Sequence, residues 1–379
     1  MKKVKVLHVL ETVGSGGVEQ RRFLMAKYLD RNYYEQKVIC TQTKGPLADE
    51  MRKLGTEVIA IGKFPSLLSF GHYLKVLKII KSFKPQIIHG AVFEGVTMAA
   101  IAGAIGKVPI VITEETSDPQ NRSWRGHFLA KILTNVADYV VGISPSVTNY
   151  LKSNGVPTRK IRLINNGVAV PSLIEEKDTG LLREQLGLKS EDFVIGSVGR
   201  LRNFHKRFSD LIEAVAMLKN EIPLKLLIIG DGPDKQLLQN LAAERGVSDK
   251  VIFAGFQFNT APFYACMNVF ALASHMEGFG LVVVEAMLSN LPVIATQVGG
   301  IPDVVVPNKT GFLVDSHCPQ CFADKFKTLY VDLTLRKTMG VAGYKRASEE
   351  YTADVYIKKV DALYREAVNK KNIKFGDDL

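Results

Sequence analysis

Short apolar runs recur along this chain with helical stretches between them, and that alternation restricts the fold more than any other feature. Residues 4–10, 36–41, 57–61, 86–89, 108–113, 139–143 and 161–164 read as strands. A second series begins at 193–199 and continues through 224–229, 251–256, 269–273, 292–296 and 311–315. Runs this apolar offer no polar face to water, and strands separated by helices cannot pair as hairpins. Both facts point to an α/β chain with open parallel sheets covered on both faces. Ligands of such sheets bind beyond the carboxyl ends of the strands, so His89, Glu94, Thr113 to Thr116 and Ser144 are expected to face a site.

A chain of 379 residues can bury two cores. The turn signals Asn165-Asn166-Gly167 and Pro171 separate the two series of strands, which gives domains over 1–170 and 171–355, with a helical pattern from Val355 to Lys371 and a last stretch, Asn372 to Leu379, expected to fray. The net charge of +11 lies in the first half, where basic residues outnumber acidic ones two to one. No aromatic-rich basic stripe or recognition motif supports nucleic acid. An anionic membrane face, a lipid-phosphate acceptor or a solvated lysine-rich surface each fits the excess. No apolar run reaches the roughly 18 residues of a membrane span, and Met1-Lys2-Lys3 runs directly into a strand; a cytoplasmic protein is expected.

Residues 270–290 carry the chemistry. An apolar strand gives way to a polar turn with Glu277, then Gly278-Phe279-Gly280, then a helix starting at Leu281 with Glu285 inside it. The glycines let backbone approach a ligand, and the amides of the helix start favour an anion such as a diphosphate. At a rise of about 1.5 Å per residue the two carboxylates sit at different depths, with that anion between them. A ligand with hydroxyls at both ends and charge in the middle matches this arrangement, and a nucleotide sugar is one.

Three other loops follow strands. Gly14-Ser15-Gly16-Gly17 precedes a helix over 18–29, but Glu19 stands where a dinucleotide fingerprint needs its third glycine; Gly230-Asp231-Gly232-Pro233 fails in the same way at Lys235. Both failures argue against an NAD-dependent oxidoreductase. The third, 200–206, carries Arg200 and Lys206 ahead of a helix from Ser209, with Ser209 or Asp210 near its cap. Cys318-Pro319-Gln320-Cys321 suggests zinc or redox chemistry, yet no second Cys or His pair completes a four-ligand set, and Pro319 more simply marks the first turn of a helix.

Glu277 through Glu285 resembles the Glu-x7-Glu motif of retaining glycosyltransferases of the GT-B fold, family 4 (glycosyl transferases group 1), and the similarity extends over nearly the whole chain. It implies two Rossmann-like domains facing across a cleft, the first taking the acceptor and the second the donor, with a final helix, about 356–379, packing back on the first. It implies that Glu277 lies beside the donor sugar and that Gly278, Phe279, Gly280 and Leu281 hold sugar and phosphate. Glu285 would bind the ribose, Arg200 with Lys206 the diphosphate, and the backbone at Phe256 the base; Gly16 and Gly17 would lie against the donor phosphates. No Asp-x-Asp triplet occurs, so the basic pair would replace a metal, and neither metal nor other cofactor is expected.

Two stretches depart from the family pattern. His89-Gly90-Ala91 stands in place of His-Ser-His, and Thr113-Glu114-Glu115 in place of Thr-x-His, so that Glu115 takes the position of a histidine near the donor sugar. The implied activity is retaining transfer from a nucleotide sugar, a UDP-sugar, to a glycan or lipid-linked acceptor of polyprenyl or lipopolysaccharide type, with peripheral contact to an anionic membrane. A sugar-nucleotide epimerase and a non-catalytic nucleotide-sugar-binding protein on the same scaffold are the alternatives, and Glu115 is what encourages the second.

Overall fold

The computed structural model describes residues 3–14, 16–64, 69–116, 124–171 and 175–373. Ser15 of the first glycine loop and residues 374–379, the end expected to fray, lie outside them. The chain divides into two compact units, Met1–Gly167 with Ala353–Leu379, and Val168–Thr352.

The first unit contains β1 (Val4–Val9), β2 (Thr12–Val13), β3 (Tyr34–Cys40), β4 (Gln42–Thr43), β5 (Glu57–Ala60), β6 (Ile87–Ala91), β7 (Ile110–Glu115), β8 (Tyr139–Gly142) and β9 (Ile161–Leu163). Among the described residues seven of these form one sheet in the order β5-β3-β1-β6-β7-β8-β9, every pair parallel, while β2 and β4 pair separately. Parallel neighbours need crossover connections, which the intervening helices supply. One face of the sheet is closed by the last helix, Ala353–Lys370, whose Tyr356, Val360, Leu363 and Tyr364 share a buried cluster with Ile87, Ile110 and Ile112. Apolar residues at helical spacing in the tail therefore serve the first unit, although 353–370 follows the second in sequence.

The second unit contains β10 (Phe193–Val198), β11 (Leu224–Ile229), β12 (Val251–Gly255), β13 (Val269–Leu272), β14 (Val293–Thr296) and β15 (Gly311–Val314), again all parallel, in the order β12-β11-β10-β13-β14-β15. The order reverses between β10 and β13. Such a reversal opens a crevice at the carboxyl ends of the two strands, where ligands of doubly wound sheets bind. Leu226, Ile228, Val269 and Ile294 are fully buried in its core, each burial of this kind contributing about 1.5–3 kcal/mol.

Two local details differ from expectation or extend it. The helix after the 200–206 loop spans Phe208–Leu218 and is capped by Arg207 in the left-handed region, φ 51°, not by Ser209 or Asp210. Asp210 lies in the first turn, where its carboxylate bonds the Arg207 guanidinium at 2.6 Å and meets the positive helix end. Cys318 and Cys321 are joined as a disulfide at the start of helix Pro319–Val331, with Pro319 in the first turn. Among the described residues no helix is long and apolar enough to cross a membrane.

Candidate active site

The loops that follow β10 and β13 meet at the sheet reversal. Lys206 Nζ donates to Glu277 Oε2 at 2.6 Å, and the His275 amide donates to the His205 carbonyl at 2.8 Å, so backbone and side chains tie the two loops together. Ser274 Oγ donates to the same Glu277 oxygen at 3.4 Å. Both bonds fall on Oε2, which leaves Oε1 for a ligand hydroxyl. An ammonium has three donors, so Lys206 can hold Glu277 and still reach phosphate oxygens.

The backbone of Glu277 is fixed by the loop after β14. Gly300 N–H donates to the Glu277 carbonyl at 3.1 Å. A Cβ on Gly299, whose φ is +51°, would lie 1.8 Å from that carbonyl oxygen, so only glycine permits this approach.

Gly280, with φ +89°, starts the helix Leu281–Leu288, which has no side-chain cap. The first-turn N–H groups of such a helix lack partners within it, and with the helix dipole they attract an anion. Gly278 is half-buried and Leu281 half-buried at the helix start. Phe279 is buried and packs edge-on against Tyr351 with ring centroids 5.5 Å apart, so its side chain belongs to the core and only its backbone can serve a ligand.

Glu285 lies one turn from the end of this helix and accepts a hydrogen bond from the Tyr264 hydroxyl at 2.8 Å. Loss of water around the carboxyl raises its pKa to about 7, and the bond from Tyr264 opposes only part of that rise. Arg200 is exposed directly after β10, and Phe256 is exposed directly after β12. Lys206, Glu277, the Gly278–Gly280 loop and Glu285 thus line the carboxyl edge of one sheet with Arg200 and Phe256 on neighbouring strands. Tyr264, His205 and His275 complete the arrangement and were not read from the sequence; Tyr264 carries no motif, and the histidines contribute through their backbones.

The first unit places its residues otherwise. Gly16 caps the helix Gly17–Tyr28, but Thr12 Oγ1 bonds Glu19 Oε1 at 3.1 Å, and a Cβ on Gly16 would meet Glu19 Oε2 at 2.5 Å. A carboxylate of the chain itself lies across this helix start. Glu115 ends β7, half-buried, on the sheet face opposite Glu114.

Three residues expected to face a ligand are instead buried within this unit. Glu114 accepts from Arg21 Nη2 and Arg22 Nη2, each at 2.8 Å, all three residues being within a few per cent of complete burial. Burial alone would raise its pKa; Arg22 and Arg21 outweigh that and hold it well below the usual carboxylate range. His89 bonds the Tyr364 hydroxyl through Nδ1 at 2.7 Å, and burial lowers its pKa to about 4, with Arg22 adding to the shift. Ser144 caps helix Pro145–Ser153 by accepting from Val147 N–H. The physical reason is alternation: successive residues of a strand point to opposite faces, so a strand end cannot send all of Thr113 to Thr116 to one site.

Comparison with known proteins matches these features. The profile of the family described as Glycosyl transferases group 1 covers residues 178–346, and that of Glycosyltransferase Family 4 covers residues 15–170. The chain is 28% identical over 228 residues to N-acetyl-alpha-D-glucosaminyl L-malate synthase of Bacillus anthracis, spanning 60% of this chain and 59% of that protein. It is 28% identical over 325 residues to the capsular polysaccharide biosynthesis glycosyltransferase CapM of Staphylococcus aureus, covering 77% and 79% of the two chains. The crystal structure of Anabaena HepE in complex with UDP shares the fold, with a TM-score of 0.84 at 22% identity, over 96% of this chain and 100% of that one. With two parallel-sheet units and both family profiles accounted for, the chain belongs to the GT-B glycosyltransferases of family 4, the glycosyl transferases group 1.

Proposed function

We propose that the protein is a retaining glycosyltransferase that moves a sugar from a UDP-sugar to a glycan or lipid-linked acceptor during assembly of a cell-surface polysaccharide, without a metal and at an anionic membrane face. The observation that carries this reading is the bond between Lys206 and Glu277 at the reversal of the second sheet. It sets a cation and a carboxylate side by side at the helix start that receives the diphosphate.

As the glycosidic C–O bond breaks, negative charge collects on the leaving phosphate. Arg200, Lys206 and the amides at Gly280 and Leu281 are fixed there beforehand and stabilise that charge more than the ground state. Glu277 orients the donor sugar through its free oxygen, Glu285 accepts the ribose hydroxyls, and the leaving phosphate takes the acceptor proton, so no protein nucleophile is needed. HepE was crystallised with UDP and CapM is named for capsular polysaccharide biosynthesis; both support the donor base and the class of product.

The test is transfer from UDP-glucose, UDP-galactose and UDP-N-acetylglucosamine to glycoside acceptors, with and without EDTA, reading the anomeric configuration of product by NMR. Retention with undiminished rate in EDTA supports the proposal. Inversion, or a requirement for added divalent ion, contradicts it.

A further inference from the structure

Between the helix Val92–Ile105, the helix Trp124–Val136, the end of β7, Val140 near the start of β8 and Leu151 of the helix Pro145–Ser153, the first unit holds a cavity of about 40 Å³. A water-sized group needs about 10–15 Å³ on this measure, so the cavity takes roughly three such groups. Val92, Phe93, Val96 and Leu133 give it apolar walls, while Thr113 and Glu115 bring polar groups from the end of β7. These two share a face because they are two positions apart on a strand, and Glu114 between them turns away to the arginines.

Two observations mark this cavity as built for a ligand. Thr113 is 1% exposed, and its hydroxyl has no hydrogen-bond partner among the described residues. A buried hydroxyl left without a partner is costly, which makes it a group waiting for an acceptor. Val92 holds a φ of +63°, a conformation that β-branched residues strongly resist. Its strain turns the chain sharply from β6 into the helix and sets Val92 and Phe93 against the cavity; strain of this kind concentrates at ligand sites.

We infer that this cavity is an acceptor subsite that takes the acetamido group of an N-acetylated amino sugar. The methyl and carbonyl carbons fill the apolar space, the carbonyl oxygen accepts from Thr113 Oγ1, and the amide N–H at the mouth donates to the Glu115 carboxylate. The bonded methyl, carbonyl carbon and carbonyl oxygen take less space than three separate waters, so the group fits the volume. A free hydroxyl at the same sugar position leaves the apolar walls and the Thr113 hydroxyl unmet. A phosphate there meets a carboxylate. The inference rests on the transferase reading only for the word acceptor; the binding itself does not.

The test compares methyl N-acetyl-β-glucosaminide with methyl β-glucoside by ligand-observed NMR titration, with UDP binding measured on the same samples. The acetamido sugar should bind about tenfold more tightly, the size of one hydrogen bond plus a buried methyl. Thr113→Val keeps the shape, removes the hydroxyl and should abolish most of that preference, with glucoside and UDP binding unchanged and stability equal or higher. Val96→Phe, which fills the cavity, should abolish the rest. Equal binding of the two sugars to the wild-type protein, or an equal loss of both in Thr113→Val, overturns the inference. If UDP does not bind but the preference persists, the transferase reading fails and the subsite stands.

Discussion

Lys206 and Glu277, 71 residues apart in sequence, meet at 2.6 Å where the strand order of the second sheet reverses. This pair joins the loop after β10 to the loop after β13 and brings together the groups proposed for phosphate and sugar. Each holds the other's position, so the loss of either disturbs both.

Lys206→Ala should therefore lower kcat about 10²–10³-fold, the range seen when one fixed stabilising group is removed from a developing anion. Glu277→Gln keeps the size but loses the charge that holds Lys206, and the double variant should fall far short of the product of the two single losses. Steady-state kinetics on the four proteins measures this; full additivity would mean that the pair does not act as a unit.

Glu285 gives a pH dependence with a definite sign. Its pKa stands at about 7 in the folded protein, above the ordinary carboxyl value, so it is largely protonated at pH 6 and ionised at pH 8. Only the carboxylate accepts from two ribose hydroxyls with both oxygens, and UDP affinity should rise across that interval, several-fold. Unliganded stability moves the other way: the contribution is complete below about 4.5 and is lost as pH rises through 7. Calorimetric titration with UDP at both pH values checks the first part, and Glu285→Gln separates it from titration of the nucleotide itself. Tyr264→Phe, by removing the one bond that favours the charged form, should push the midpoint higher.

Gly299→Ala tests the loop that holds Glu277. The added Cβ would fall 1.8 Å from the Glu277 carbonyl oxygen, at a φ of +51° that alanine resists. Glu277 must shift, and a displacement near 1 Å of a positioned group costs about 10²-fold in rate. Turnover should fall by that order while UDP affinity, assigned in the proposal to Glu285, the helix start, Arg200 and Lys206, changes less.

The charge cluster of the first unit belongs to stability. Glu114→Gln removes the partner of two buried guanidinium groups and should cost about 3–5 kcal/mol. Acid should act through the same cluster. His89, with a pKa lowered to about 4, and His8, lowered well below its ordinary value, both take up fewer protons folded than unfolded. Their contribution is complete above about pH 6.5 and is lost as pH falls toward 4, and that of Glu114 is lost lower still. Urea midpoints at pH 7.5 and 5.0 for wild type and His89→Gln measure this; the variant should lose less on acidification.

The features legible in the sequence are those set by neighbours along the chain. Strand and helix alternation, the Glu277–Glu285 spacing, and the glycines that carry left-handed backbone are local, and each has a direct physical meaning. What the sequence hides is long-range. Arg21 and Arg22 carry no local signal of burial, yet they are buried because Glu114, 93 and 92 residues away, meets them inside. His89 and Ser144 looked like site residues because they end strands, and only the packing of Ala353–Lys370 on that face and the cap at Pro145 gave them other partners. Tyr264 is invisible for the same reason: nothing near it in sequence points to Glu285.

Nucleotide binding at the Glu277–Glu285 segment is read most directly from the thermal shift of the purified protein with UDP, GDP, ADP and NAD, repeated on Glu285→Ala and Lys206→Ala. Ligands that bind only the folded state raise its melting temperature by mass action. UDP should give a shift that is lost in Glu285→Ala and reduced in Lys206→Ala, and NAD should give none. A shift with NAD alone, or a UDP shift that both variants keep in full, would contradict it.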